Sequence, residues 1–221
     1  KDTFPEEDWK LIDKLSVESS IELEGELKKD ERAPTGYELH VKTFHVLQIA
    51  NKFPITEHQS PEFLMDMRHL WIRSRKLSAV MKVRATVMKA FRDFYNNQGY
   101  YEMAPPVFTP NACEGGSTLF EVKYYKNKVY LTQSWQLYAE AAIFALEKIF
   151  CISPCFRSEK SKTSRHLSEF WMAEMEAAWI SFDLLTKSAE DCVSHLIQTV
   201  VKENETELKL LGQDTDKLKK I

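Results

Sequence analysis

Two runs with alternating apolar and polar side chains, Ile149 to Glu159 and Ser168 to Ile180, flank the polar stretch Lys160-Ser161-Lys162-Thr163-Ser164-Arg165-His166. A side-chain period of two marks strands, so the pair reads as a hairpin whose faces are fixed by parity. Arg157 and Glu159 point to the same side of the first strand, and Phe170, Met172, Glu174 and Glu176 share one parity on the second. One sheet face therefore gathers a guanidinium, several carboxylates and an aromatic ring. That arrangement constrains the fold more than any other feature, because it demands a sheet with one chemically loaded face.

The flanking segments have a helical period. Between Ser74 and Tyr95 the apolar positions Leu77, Val80, Met81, Val87, Met88, Phe91, Phe94 and Tyr95 recur at three- and four-residue spacing. Asn96, Asn97 and Gly99 supply the stop. The opposite face carries Arg75, Lys76, Lys82, Arg84 and Lys89, a pattern that reads as a solvated helix face. A second amphipathic helix spans about Asp183 to Asn204, with Leu185, Ala189, Cys192, Val193, Leu196, Ile197, Val200 and Val201 as its buried stripe and His195 beside it in a structural role. Gln136 to Lys148 is a shorter helix rich in Ala and Leu. Val122 to Tyr125 and Val129 to Thr132 flank Lys126-Asn127-Lys128 as a second hairpin. In the first sixty residues, Ser20 to Leu27 and Tyr37 to Val46 alternate and are joined through the polar stretch Lys28 to Gly36, which predicts a small β domain. Two or three strands cannot close a barrel, so further strands are expected upstream.

Composition narrows the partners. The longest apolar run, Ala141 to Leu146, is far short of the roughly 18 to 20 residues that cross a bilayer. Thirty basic and 33 acidic side chains leave a formal charge of -3, so a nucleic-acid ligand has to be met by a local patch. Four cysteines, Cys113, Cys151, Cys155 and Cys192, without a signal-peptide pattern predict free thiols in the cytoplasm. Cys151 and Cys155 have no second Cys or His pair at ligand distance, and no metal site is expected. There is no Walker A sequence, no G-x-G-x-x-G and no G-x-S-x-G, so any nucleotide site is of neither the P-loop nor the Rossmann kind. From the residues alone, Phe156-Arg157-Ser158-Glu159, the basic loop and Arg165-His166 fit a phosphate-handling hairpin, since arginine offers a planar fork of donors and an aromatic can stack a base. A surface salt-bridge hairpin accounts for them equally well.

A resemblance is more specific. Gly99-Tyr100-x-x-Met103-x-x-Pro106-Val107-Phe108 after a long helix is similar to the first signature of the class II aminoacyl-tRNA synthetases, and Cys151 to Glu176, with Phe-Arg-Ser-Glu at 156 to 159 and Arg-His-Leu-Ser-Glu-Phe-Trp at 165 to 171, resembles their second. The N-terminal β segment resembles the anticodon-reading OB-fold of the aspartate, asparagine and lysine subgroup. The resemblance implies an α+β fold: a class II synthetase-like antiparallel sheet flanked by helices, preceded by part of a β-barrel OB-fold. Residues 1–57 would be the partial OB-fold, 58–73 a linker and 74–221 the N-terminal part of the catalytic domain. The Gly-rich third signature with its ATP-clamping arginine, and the start of the OB-fold, do not occur in these 221 residues, so either the polypeptide continues beyond Ile221 or the chain is an inactive fragment.

The resemblance also implies roles. Glu114 and Gln136 would hold the amino-acid substrate at its amino end, and Arg157 would be the catalytic residue, bridging the substrate carboxylate and the α-phosphate of ATP. Ser158, Glu159, Arg165, His166 and Leu167 would line the ATP site, with Glu159 at the adenine amino group and Phe170 stacked on the base. Aspartate-specific members place a lysine where Ala139 stands. Here Glu140 follows instead, and a carboxylate accepts from an amide NH2 while repelling aspartate. With the Ala-Glu-Ala-Ala wording after Tyr138, this resembles the asparagine-specific members of archaeal and eukaryotic type. The implied substrates are asparagine, ATP with Mg2+, and tRNA(Asn), whose acceptor end the loop Lys160 to Ser164 would face, in a homodimer formed through the helix and strand around Gly99 to Phe108. The alternatives are an aspartate-specific or non-discriminating enzyme, an amide-forming asparagine synthetase on the same fold, and a non-catalytic relative acting as an RNA-binding or dimerisation module.

Overall fold

The computed structural model describes residues 4–221 apart from 34, 114, 116, 117, 161, 162 and 164. The chain divides into two compact units, Lys1–Ser74 and Arg75–Ile221.

In the first unit a short helix α1 (Glu6–Ile12) precedes strands β1 (Ser20–Lys29) and β2 (Tyr37–Gln48), which pair antiparallel from Ser20↔Gln48 to Lys29↔Tyr37. The strands run two residues further than alternation alone indicated. Parity puts Ile21, Leu23 and Leu27 opposite Val46, Phe44 and Leu39, while Glu22, Glu24 and Glu26 face His45, Thr43 and His40 on the other side. The register shifts between Glu24 and Gly25. There a Cβ on residue 25 would lie 2.2 Å from the carbonyl oxygen of His40, so only glycine fits. Within 58–73, Ser60 caps α2 (Pro61–Asp66) by accepting from the amide of Phe63 at 3.2 Å, with proline at the first helical position. α3 (Arg68–Trp71) follows.

The second unit is built on the expected hairpin. Strands β7 (Lys148–Phe156) and β8 (Glu169–Ala177) pair antiparallel, with Ile149↔Glu176, Cys151↔Glu174, Ser153↔Met172 and Cys155↔Phe170 on one face. The other face carries Phe150 and Met175. It is covered by α4 (Arg75–Asn96) and α6 (Phe182–Glu203), where Phe91, Tyr95, Tyr100, Phe150 and Cys192 form a buried cluster with Ile152 and Leu196 against it. Phe150 is fully buried, with Phe91 and Tyr95 ring centroids at 6.0 and 5.6 Å. On the first face, Ile149 and Cys151 are covered by α5 (Gln136–Leu146) through Trp135 and Ala139. The far end of that face, from Ser153 to Phe170, extends beyond the helix. A sheet between helices, with Ser153 and Cys155 buried and Arg157 and Phe170 at its end, is the arrangement that positions the site.

Helix ends follow local chemistry. Gly99 at φ +77 closes α4, and the amide of Tyr100 reaches back to the carbonyl of Tyr95 at 3.1 Å. Ser181 caps α6 by accepting from the amide of Leu184 at 3.3 Å. α5 stops two residues before Lys148, where Glu147 takes φ +60 and β7 begins. Two short helices that periodicity did not indicate, α7 (Glu205–Leu210) and α8 (Thr215–Leu218), close a cluster of Val200, Val201 and Leu208 with Val83 and Leu218.

Three expectations are corrected. The sheet is not wholly antiparallel: β3 (Tyr101–Glu102) pairs with β7 in parallel, because the chain between them crosses over through a second sheet and α5. The strand expected after Gly99 is split into β3 and β4 (Phe108–Thr109), which belong to different sheets. The hairpin in that second sheet, β5 (Glu121–Tyr124) and β6 (Asn127–Leu131), turns on Tyr125 and Lys126 rather than on 126–128, pairing Tyr124 with Asn127. A two-residue hairpin turn needs positive φ, and Tyr125 takes it at φ +53.

Candidate active site

At the open end of the sheet, Arg157, Arg165, His166, Leu167 and Phe170 line a cavity of about 320 Å³. These residues come from the two ends of one hairpin. Arg157 directly follows β7, its amide donates to the carbonyl of Ser168 at 3.0 Å, and its guanidinium carbon lies 5.5 Å from the centroid of the Phe170 ring. A guanidinium lying over an aromatic face has its plane held by the ring. His166 is tied to the start of the loop, with Nε2 3.3 Å from a Glu159 carboxylate oxygen and Nδ1 3.3 Å from the Thr163 hydroxyl.

Ser158 faces away from that cavity. Its amide donates to the carbonyl of Thr118 at 2.9 Å and its hydroxyl to the carbonyl of Leu119 at 3.3 Å. Glu159 is exposed and does not line the cavity. Glu114 lies outside the described residues, as do 161, 162 and 164 of the basic loop.

Beside the cavity the same face is acidic. The expected amino-acid residues Gln136 and Glu140 sit one turn apart on α5, both exposed, with the Gln136 amide donating to Glu140 at 3.1 Å. Glu140 also faces the sheet. Burial of Glu176, with the Glu140 charge as a second cause, raises the Glu176 carboxyl above its ordinary value. Glu174, half-buried on β8, accepts from the Ser134 hydroxyl at 2.9 Å. Ala139 is fully buried against Trp135, Ile149 and Cys151, so position 139 points at the sheet rather than at solvent.

Sequence reasoning used Gln133-Ser134-Trp135, as the start of the run to Glu140, only in choosing within the subgroup, and gave these three residues no role in holding the parts together. Thr132, Gln133, Ser134 and Trp135 are four consecutive buried residues, three of them polar. The Thr132 carbonyl accepts from the Phe156 amide at 2.8 Å, Gln133 bonds to the 113–118 stretch, and Ser134 holds Glu174. The available signal was the polar Thr-Gln-Ser step between an apolar strand and an apolar helix, where burial demands hydrogen-bonded partners.

The cysteines carry no chemistry at this face. Burial pushes the thiols of Cys151 and Cys155 up to about 12 and about 11, so both stay protonated at neutral pH. Among the described residues no group of three or more His, Cys, Asp or Glu side chains could hold a metal ion. The basic face of α4 is largely paired within the unit: Lys82 with Glu207 at 3.1 Å, Lys89 with Asp93 and Glu203 at 3.5 and 3.4 Å, and Arg92 with Glu102 at 2.9 Å, while Arg84 lies over Trp171 at 5.7 Å. His195 packs its ring 5.5 Å from that of Phe94.

Known proteins resemble this chain. The family described as tRNA synthetases class II (D, K and N) matches residues 60–221. An asparagine–tRNA ligase from Thermoplasma acidophilum is 46% identical over 219 residues, which is 99% of this chain and 51% of the relative. The crystal structure of asparaginyl-tRNA synthetase from Pyrococcus horikoshii complexed with asparaginyl-adenylate is similar, with a TM-score of 0.90 and 45% identity over 100% of this chain and 51% of that one. Asparaginyl-tRNA synthetase from Entamoeba histolytica, also with asparaginyl-adenylate, gives a TM-score of 0.82 and 30% identity over 95% of this chain and 48% of that one. The chain spans about half the length of these relatives.

Proposed function

This chain belongs to the class II tRNA synthetases (D, K and N), and from that premise we propose that it activates asparagine with ATP as the adenylate and transfers it to tRNA(Asn). The observation that carries this is the cavity in which Arg157 lies over Phe170, with Arg165, His166 and Leu167 around them. It supplies what adenylation needs: a planar cation at the reacting phosphate, an aromatic ring for the base, and further basic groups for the outer phosphates.

The chemistry needs no protein nucleophile. The asparagine carboxylate attacks the α-phosphorus, pyrophosphate leaves, and the terminal ribose hydroxyl of the tRNA then takes the acyl group from the adenylate. Arg157 stabilises the charge that develops between carboxylate and phosphate, and the site holds the two in line. Mg2+ enters as part of the Mg·ATP substrate, carried on the phosphates. Phe170 stacks on adenine and Glu159 takes its amino group, while Ser158 sets the height of Arg157 through its bonds to Thr118 and Leu119. Glu114 and Gln136 hold the amino end of asparagine.

Two carboxylates fit the task of telling asparagine from aspartate. Glu140 is the one expected from the motif. Glu174 is the second, favoured by its half-buried position and its bond from Ser134, since an enclosed carboxylate penalises a second negative charge more strongly.

We assign residues 1–57 to part of an OB-fold, 58–73 to a linker and 74–221 to the first part of the catalytic domain. The enzyme works in the cytoplasm as a homodimer through the region from α4 to β4, where Tyr101 and Phe108 are 59% and 51% exposed. No helix among the described residues is long and apolar enough to cross a membrane. ATP–pyrophosphate exchange by the encoded protein, with asparagine and aspartate compared, tests the reading. Exchange that depends on asparagine is expected, a preference for aspartate overturns the substrate, and no exchange with either leaves an RNA-binding or dimerisation module.

A further inference from the structure

We propose that Gln133 is a positioning residue that fixes the amino-acid side of the site by fastening Cys113, Gly115 and Thr118 to the buried Thr132–Trp135 run. This deepens the asparagine-activation reading and rests on it. Gln133 is 1% exposed, and its amide is used at both ends. Oε1 accepts from the Cys113 amide at 3.2 Å, and Nε2 donates to the Thr118 hydroxyl at 2.6 Å and to the Gly115 carbonyl at 3.3 Å. One side chain thus holds three residues across a six-residue stretch. Gly115 has φ +98, so Gln133 binds the carbonyl of a residue whose conformation only glycine adopts without strain.

The connection continues to the ATP side. The carbonyls of Thr118 and Leu119 accept from the amide and hydroxyl of Ser158, next to Arg157. Gln133 therefore stands where these residues and the arginine hairpin meet, while the hairpin itself is held by the backbone carbonyls of Thr118 and Leu119, which Gln133 does not bond. A buried amide with its donors and acceptor engaged is a rigid spacer, because releasing any partner leaves a polar group without water. An apolar side chain of similar length cannot take its place.

The test uses Gln133→Met and the milder Thr118→Val in the encoded protein, with KM for asparagine and KM for ATP measured separately in ATP–pyrophosphate exchange. Gln133→Met is expected to raise KM for asparagine at least about tenfold, the effect of losing one or two buried hydrogen bonds, with KM for ATP within about twofold. Thr118→Val is expected to raise KM for asparagine about threefold and serves if Gln133→Met does not fold. Equal rises in both constants, or unchanged constants with a lowered melting temperature, overturn the proposal. Hydrogen exchange at the Cys113 amide separates its failure from that of the parent reading. If the parent protein shows no asparagine-dependent pyrophosphate exchange, the functional reading falls, and hydrogen exchange at Cys113 still decides whether Gln133 fastens these residues. Faster exchange at Cys113 in Gln133→Met, with the Phe150 amide unchanged, supports the fastening, and unchanged exchange at Cys113 overturns it.

Discussion

Arg157 shows how one residue is prepared for work by its neighbours. Its amide is tied to Ser168 and its side chain lies over Phe170, so the guanidinium is oriented by both strands of one hairpin. Arg157→Lys keeps the charge and loses the planar fork. Asparagine-dependent pyrophosphate exchange is expected to fall about 10²- to 10³-fold, the usual cost of removing one transition-state donor. Stability should move by no more than about 0.5 kcal/mol, since the residue is only half-buried. Parental exchange in a folded Arg157→Lys protein would remove Arg157 from the chemistry. The buried thiols give the opposite kind of prediction. Cys151 and Cys155 titrate above the ordinary value of 9.0 in the folded protein, so above about pH 9 the unfolded chain releases protons that the folded one retains. Their contribution to stability is complete below pH 9 and is lost as pH rises through about 11 to 12. Urea melts at pH 8 and pH 10 should show lower stability at the higher pH, and the Cys151→Ala, Cys155→Ala pair should lessen the difference. At pH 7.5, iodoacetamide should label the half-buried Cys113 before either.

Elements differ in how much of them a sequence can show. The long helices and the hairpins were legible because their periods repeat over many residues: α4, α6, β7 and β8 all begin and end within a few residues of where periodicity puts them. The two-residue strands β3 and β4 hold no period, so their division between two sheets and the parallel pairing of β3 could only come from tertiary contacts. The site divides in the same way. Arg157, Arg165, His166 and Phe170 were readable because one hairpin brings them together. Gln133 and Ser134 were not, because their partners lie 15 to 40 positions away. Two substitutions probe the elements directly. Phe150→Ala removes a fully buried ring from between α4 and the sheet and should cost about 3 to 5 kcal/mol in a denaturant melt. Gly25→Ala drives a Cβ into the His40 carbonyl at the register shift between β1 and β2, and should cost about 1 to 3 kcal/mol. Faster hydrogen exchange in Gly25→Ala should be confined to β1 and β2, and a protein as protected there as the parent would show that the strands part without cost.

These 221 residues carry a formal charge of -3, so their summed field does not attract an RNA backbone. Where the cations stand, and whether each already has a partner, therefore decides where the proposed tRNA partner would meet this chain. α4 displays six basic residues, yet Lys82, Lys89 and Arg92 each face a carboxylate of the same unit. A cation paired in this way releases little on meeting a phosphate. Lys160 is exposed at the start of the loop between β7 and β8, the loop whose Arg165, His166 and Leu167 line the cavity that carries the proposed chemistry. The two groups make distinguishable contributions to the salt dependence of tRNA binding. Each phosphate contact adds about 0.7 to 0.9 to the slope of log affinity against log salt. Lys160→Ala should reduce that slope by about one, and Lys82→Ala should leave it unchanged. Filter binding of tRNA(Asn) to the encoded protein from about 50 to 200 mM salt spans a range wide enough to separate the two variants. Equal slopes for Lys160→Ala and the parent, with a reduced slope for Lys82→Ala, would move the RNA-facing surface from the hairpin loop to the outer face of α4.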